Sequence, residues 1–170
     1  MKKYVFINTI GIFLLGFIFH FVYRIFPNFI TSILFPVNES IFEHMKLIMT
    51  SYYVYLIIRY FIYKNNNINT NNLLFKTFIS LLTTIIIFLI IYLPIYYKFG
   101  KNLLVTLIIY FISILISEFI YFNKFKKENK LLNRITIVFT IILYIITTYL
   151  TYNPIKIDFF IDPITKKYGI

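Results

Sequence analysis

Long unbroken runs of apolar residues constrain this chain more than any other feature. A helix needs about 20 mostly apolar residues to cross roughly 30 Å of hydrocarbon. Five stretches meet that requirement, at about 4–23, 44–63, 73–96, 103–121 and 135–152. Apolar residues make up 60% of the 170-residue chain and charged residues only 14%, against about 25% charged in soluble domains. A soluble chain of this size would leave roughly 30% of its surface in water, so a soluble globular domain is excluded, as is disorder. The expected fold is therefore all-α: one integral membrane domain over residues 1–170, a polytopic transmembrane bundle of about five spans. There is no Cys, which excludes disulfides, thiolate metal sites and a cysteine nucleophile.

Charge gives an orientation. Lys and Arg number 17 against 6 Asp and Glu. In a soluble chain that excess would suggest nucleic acid. In a membrane chain it points instead to cytoplasmic loops and anionic lipid headgroups, so the expected partner is the bilayer and not nucleic acid. Ten of the basic residues fall on the side of Lys2, Lys3 and the dense cluster Lys124, Lys126, Lys127, Lys130 and Arg134, and seven on the other. The bias places the N-terminus in the cytoplasm and the C-terminus outside, in the cell membrane. Lys2 and Lys3 before an apolar run resemble a signal peptide, but Phe19, His20 and Phe21 stand where a cleavage site would need small residues, so a retained first helix is expected.

This topology gathers the rare ionisable groups. Both histidines, His20 and His44, and four of the six acids, Glu39, Glu43, Asp158 and Asp162, fall on the outer side. Residues 36–47 form the most informative segment. Ser40-x-x-Glu43 reads as a capping box that starts a helix, and an acid in a first turn suits the helix dipole. The same residues allow a chemical reading. Glu39, Glu43 and Lys46 share a helical stripe with Ser40 and His44 beside it, and ionisable groups at membrane depth usually face the bundle interior or a wet cavity. His20, Glu39, Glu43 and His44 are candidate ligands for a divalent metal ion such as Zn²⁺, since imidazole and carboxylate suit such ions. His20, Glu43 and His44 are equally candidates for acid–base chemistry or proton relay. Glu39, Ser40 and Asp162 are candidate ligand-binding residues, with Asp162 on a tail that can fold over the site.

Between Pro27 and Pro36, residues 28–35 are too short to span and read as an interfacial or re-entrant piece. Asp162-Pro163 with Thr165 reads as an Asx-type turn. Glu118 has Arg59, Lys124 and Arg134 as candidate partners and otherwise snorkels to the interface.

The pattern His20-Phe-x-Tyr23, Pro36-Val-Asn-Glu-Ser-x-Phe-Glu-His44-x-Lys46-Leu47 and the closing Asp162-Pro-x-Thr-x-x-Tyr-Gly-Ile170 resembles a family of small multi-pass prokaryotic membrane proteins, a domain of unknown function. That family usually has Trp where this chain has Phe42, and often Gly where it has Lys166. The resemblance spans the chain and implies the membrane class, but no activity. No nucleotide loop, zincin helix or nucleophile elbow is present. Three functions follow as expectations: a metal- or polar-ligand-binding protein, whose enzymatic form would be a metal-dependent membrane hydrolase; a proton-coupled carrier or accessory transport subunit; or a structural protein in which the polar residues only cap and pack.

Overall fold

A computed structural model describes residues 2–170. The fold is all-α. Helix α1 spans Lys2–His20, α2 Val22–Ile25, α3 Phe29–Leu34, α4 Ile41–Asn65, α5 Leu73–Phe99, α6 Leu103–Tyr121 and α7 Lys130–Tyr152, followed by a 3-10 turn at Asp158–Phe160. Among the described residues there is no strand, only an isolated antiparallel bridge between Ile161 and Tyr168.

Four segments are long and apolar enough to cross a membrane: Lys2–Ile25, Leu73–Phe99, Leu103–Tyr121 and Lys130–Tyr152. Helix α4 has the length, 25 residues, but differs in character from the expected second span. Glu43, His44, Lys46, Arg59 and Lys64 all lie on it, and it is the most buried element, with 14 buried residues from Ile41 to Tyr63. A helix enclosed by other helices need not be apolar all round, because its polar groups find partners inside the bundle.

Helices α1, α4, α5 and α6 form a closed ring of neighbours, with α7 packed outside against α5 and α3. Ile12, Ile48, Met49, Tyr52, Leu81 and Ile114 fill the centre. The rest of the interior is hydroxylic: Thr9, Ser51, Thr77, Ser80, Thr84, Ser113 and Ser117 are buried, while Ile18, Ile90, Phe119, Ile145 and many other large apolar side chains are exposed. That inversion of the water-soluble pattern suits hydrocarbon, where small and hydroxylated residues let helices approach and bond one another. Midway along the bundle, Tyr52 OH lies 2.6 Å from Thr84 Oγ1 and 2.9 Å from Ser117 Oγ.

The ends of the bundle carry different chemistry. At one end, Arg59 Nη2 donates to Glu118 at 2.7 Å, and Asn8 Nδ2 donates to Glu118 at 2.9 Å and to the Tyr63 hydroxyl at 2.7 Å. Of the partners open to Glu118 in the sequence, Arg59 is the one it takes, and the pair is buried instead of snorkelling outward. At the same end, Asn72 ties the α4–α5 loop to the α6–α7 loop, donating to the carbonyls of Phe125 and Lys127 and accepting from Asn129 N–H. The other end holds both histidines.

The piece between the two prolines is the short helix α3, closed by a reciprocal capping box between Asn28 and Thr31. The tail folds back. Asp162 makes the Asx turn, accepting from Ile164 N–H and Thr165 OH, both at 2.8 Å. Lys166 sits at φ 58°, so this turn does require a left-handed residue, and lysine occupies it. Gly169, at φ 62°, lies where a Cβ would come within 2.4 Å of Thr151 O, and its own carbonyl accepts from Asn38 Nδ2 at 3.0 Å. The C-terminus is thus pinned to the segment that precedes α4.

Candidate functional site

Local signals place each side chain of the histidine end. Helix α1 ends at His20, and Phe21, still in the right-handed helical region, leads straight into α2. Asn38 Oδ1 accepts Ser40 N–H at 2.9 Å, tightening the approach to α4, and Ser40 caps that helix by accepting Glu43 N–H at 3.2 Å. Only half of the expected capping box forms, because the Glu43 carboxylate turns elsewhere. Glu39 projects from the residue before the cap. Between α5 and α6, Gly100 ends one helix and Asn102 caps the next, leaving Lys101 in the short connection.

These elements converge on Glu39. His20 Nε2 is 3.2 Å from Glu39 Oε1, His44 Nε2 is 3.9 Å from Oε2, and Lys101 Nζ is 2.7 Å from Oε2. The two imidazole rings stand 5.5 Å apart. One ligand atom each from His20, Glu39 and His44 all lie within 4.8 Å of one another. The hydrogen bond from His20 holds the Glu39 carboxyl well below the usual carboxylate range. Lys101 and His44 act in the same direction, while partial burial opposes them. The carboxylate is therefore an anion.

His44 Nδ1 lies 2.8 Å from Ser40 O. A carbonyl can only accept, so Nδ1 carries a proton; a protonated ring would donate Nε2–H toward Glu39, whereas the neutral ring presents a lone pair there. That lone pair faces a carboxylate oxygen, another acceptor. Two acceptors turned toward each other require a cation or an extra proton between them. A histidine donating one nitrogen to a backbone carbonyl while offering the other is the usual posture of a metal ligand. Two donors at ~2.05 Å from one tetrahedral ion stand about 3.3 Å apart. The observed 3.2 and 3.9 Å separations bracket that spacing, and all three ligand atoms lie within 4.8 Å of one another.

Of the other residues singled out in the sequence, Glu43 is not brought to this cluster. It is buried one turn below, where Lys46 Nζ approaches Oε2 at 2.6 Å, Thr151 OH donates to Oε1 at 2.8 Å and Val37 N–H donates to Oε2 at 3.1 Å. Lys46 also donates to Ser32 O and to Thr151 Oγ1. Ser40 acts as cap and as the anchor of His44. Asp162 is buried, with both oxygens engaged in its own turn, and it lines a cleft of about 390 Å³ with His20, Arg24, Asn38, Glu39 and Thr165. The residue that sequence reasoning missed is Lys101. Its only signal was a position between two helices that end on the same side as the motif.

An all-helical bundle with an apolar exterior and a hydroxylic interior has the build of an integral membrane protein. The chain belongs to a family of unknown function (DUF6512), whose profile matches residues 1–170. No curated protein and no solved structure matches it.

Proposed function

We propose that this protein is a multi-pass protein of the cell membrane that binds a divalent metal ion through His20, Glu39 and His44. Its N-terminus would be cytoplasmic, and the histidine end with the C-terminus would face outside. The observation that carries the metal reading is the convergence of one ligand atom each from His20, Glu39 and His44 within 4.8 Å of one another. Two imidazoles and one carboxylate make the three-ligand set of catalytic zinc sites, which keep a position open. Manganese or ferrous iron suits the same donors. The enzymatic form is a membrane hydrolase, in which the ion would activate water.

The test is metal content after purification in detergent without chelator. About one ion per chain is expected for the wild type, with occupancy falling at least tenfold in His20→Ala, His44→Ala and Glu39→Gln, while Glu43→Gln keeps its ion. A metal-free wild type that still folds would overturn the reading.

A proton-coupled carrier is the second reading. It draws on the Tyr52, Thr84 and Ser117 cluster lying between the two charged ends. Uptake into vesicles that depends on pH and needs no metal would favour it. A lowered melting temperature as the sole effect of the site variants would favour a structural role.

A further inference from the structure

We propose that the end of the bundle opposite the histidines binds a phosphate group at the N-terminus of α5, held by Lys76 and Lys126. The inference is independent of the metal reading. Lys76 lies one turn into α5 and is only 5% exposed. Among the described residues it makes no hydrogen bond or ion pair. The charged groups that act on it are Lys126 and Arg59, with no carboxylate among them. Arg59 is taken up by Glu118, so Lys76 and Lys126 are left as two positive charges without a counter-ion. A buried ammonium in that state is costly, and a like-charged neighbour adds to the cost.

Lys126 is held near Lys76 by its own backbone. It is an exposed residue of the α6–α7 loop, and three asparagines of the α4–α5 loop fix that loop. Asn69 and Asn71 Nδ2 donate to Lys126 O at 3.3 and 3.0 Å, and Asn72 Nδ2 donates to the carbonyls on either side of it at 2.9 and 2.7 Å. The fixed loop is basic, with Lys124, Lys126 and Lys127 against Glu128 alone. Asn72 is also the N-cap residue of α5. With its side chain spent on the loop, the first turn has no side-chain cap. Uncapped amides at the positive end of a 27-residue helix attract an anion. Helical side chains lean toward the N-terminus, so the Lys76 ammonium is carried toward the same amides. Leu73 opens the apolar run of α5, which sets this turn at the edge of the hydrocarbon, the depth of lipid phosphates. Two ammonium groups and helix amides suit a phosphate, whether in an anionic lipid headgroup or free in solution.

Native mass spectrometry of the detergent-purified chain tests this, with dioleoyl phosphatidylglycerol, dioleoyl phosphatidylcholine and inorganic phosphate titrated separately. One phosphatidylglycerol per chain is expected, held about tenfold more tightly than phosphatidylcholine. Lys76→Met should weaken it about tenfold. Lys126→Gln, at an exposed position that leaves the bundle intact, should weaken it about fivefold and decides the matter should the first variant fail to fold. Lys98→Gln, at the histidine end, should change nothing. Saturable binding of inorganic phosphate that displaces the lipid and is weakened in the same two variants supports the site with free phosphate as its occupant; lipid binding that inorganic phosphate does not displace supports it with the headgroup. Equal binding of phosphatidylglycerol by wild type, Lys126→Gln and Lys98→Gln would mean general charge attraction and overturn the proposal. Saturable binding of neither phosphate would overturn it as well.

Discussion

Glu43 and Lys46 form an ion pair of 2.6 Å in almost complete burial, one turn into α4. Their neutrality explains how both can sit among helices, and it separates Glu43 from the His20, Glu39 and His44 cluster one turn above. Removing one partner strands the other charge, which costs about 3–5 kcal/mol. Glu43→Gln is therefore expected to lower the melting temperature sharply in detergent, and Glu43→Gln with Lys46→Met to recover most of the loss, since an apolar replacement of a buried pair is often neutral. A double variant as unstable as the single one would refute this account.

Lys101 Nζ stands 2.7 Å from Glu39 Oε2, an oxygen that the proposed metal ion would also take. A unit charge ~4 Å from another interacts by about 1 kcal/mol in water and about 4 kcal/mol at an effective dielectric of 20. Lys101 is partly exposed, which places the effect near the lower end. Lys101→Met should tighten zinc binding about tenfold by competition titration.

The carboxyl of Glu39 is depressed in the folded protein, relative to about 4.3 in an unfolded chain. The sign follows: its stabilisation is fully present above the unfolded value and is lost as pH falls through the folded one. The gap in melting temperature between wild type and Glu39→Gln, measured without metal, should shrink as pH falls below about 4.

Lys166 holds a left-handed conformation at φ 58°, which costs an L-residue about 1–2 kcal/mol. Lys166→Gly relieves that strain at the expense of unfolded-state entropy, so a net gain of up to about 1 kcal/mol is expected. Slower amide exchange in the tail hairpin would register it. Gly169→Ala should do the reverse and free the C-terminus to proteolysis, because its Cβ meets the Thr151 carbonyl.

Arg59 and Glu118 anchor the opposite end. Either residue replaced by Ala should cost about 3–5 kcal/mol, whereas Tyr52→Phe should cost only about 0.6–1 kcal/mol. Thr84 and Ser117 remain bonded to each other at 2.6 Å without the tyrosine. Urea or thermal melts in one detergent compare the three directly.

Much of the fold was legible because hydrocarbon imposes length and apolarity on a segment independently of its neighbours. Helices α5 and α6 begin where the apolar runs begin, at Leu73 and Leu103. The extra turns of α7, from Lys130, were hidden because Asn133 and Arg134 look like loop, yet the Asn129 side chain caps Leu131 and Leu132 and starts the helix there. Topology alone put His20, Glu39, Glu43, His44, Asp158 and Asp162 on one side, since a chain that crosses and returns must bring its loop and helix ends together, but it did not separate Glu43 from the cluster of His20, Glu39 and His44.

What the sequence could not reveal is which carboxylate meets which cation. Glu39 and Glu43 lie one helical turn apart in the same segment beside His44, and an acid near a helix start satisfies several roles. Packing decides between them: Thr151 on α7, Lys46 below and Val37 N–H surround Glu43, while Lys101, 62 positions away, closes on Glu39. The apolar helices are dictated by their own residues, because solvent acts on each segment separately. The charge pairings depend on distances of a few ångströms between segments far apart in the chain, and only the assembled bundle sets those.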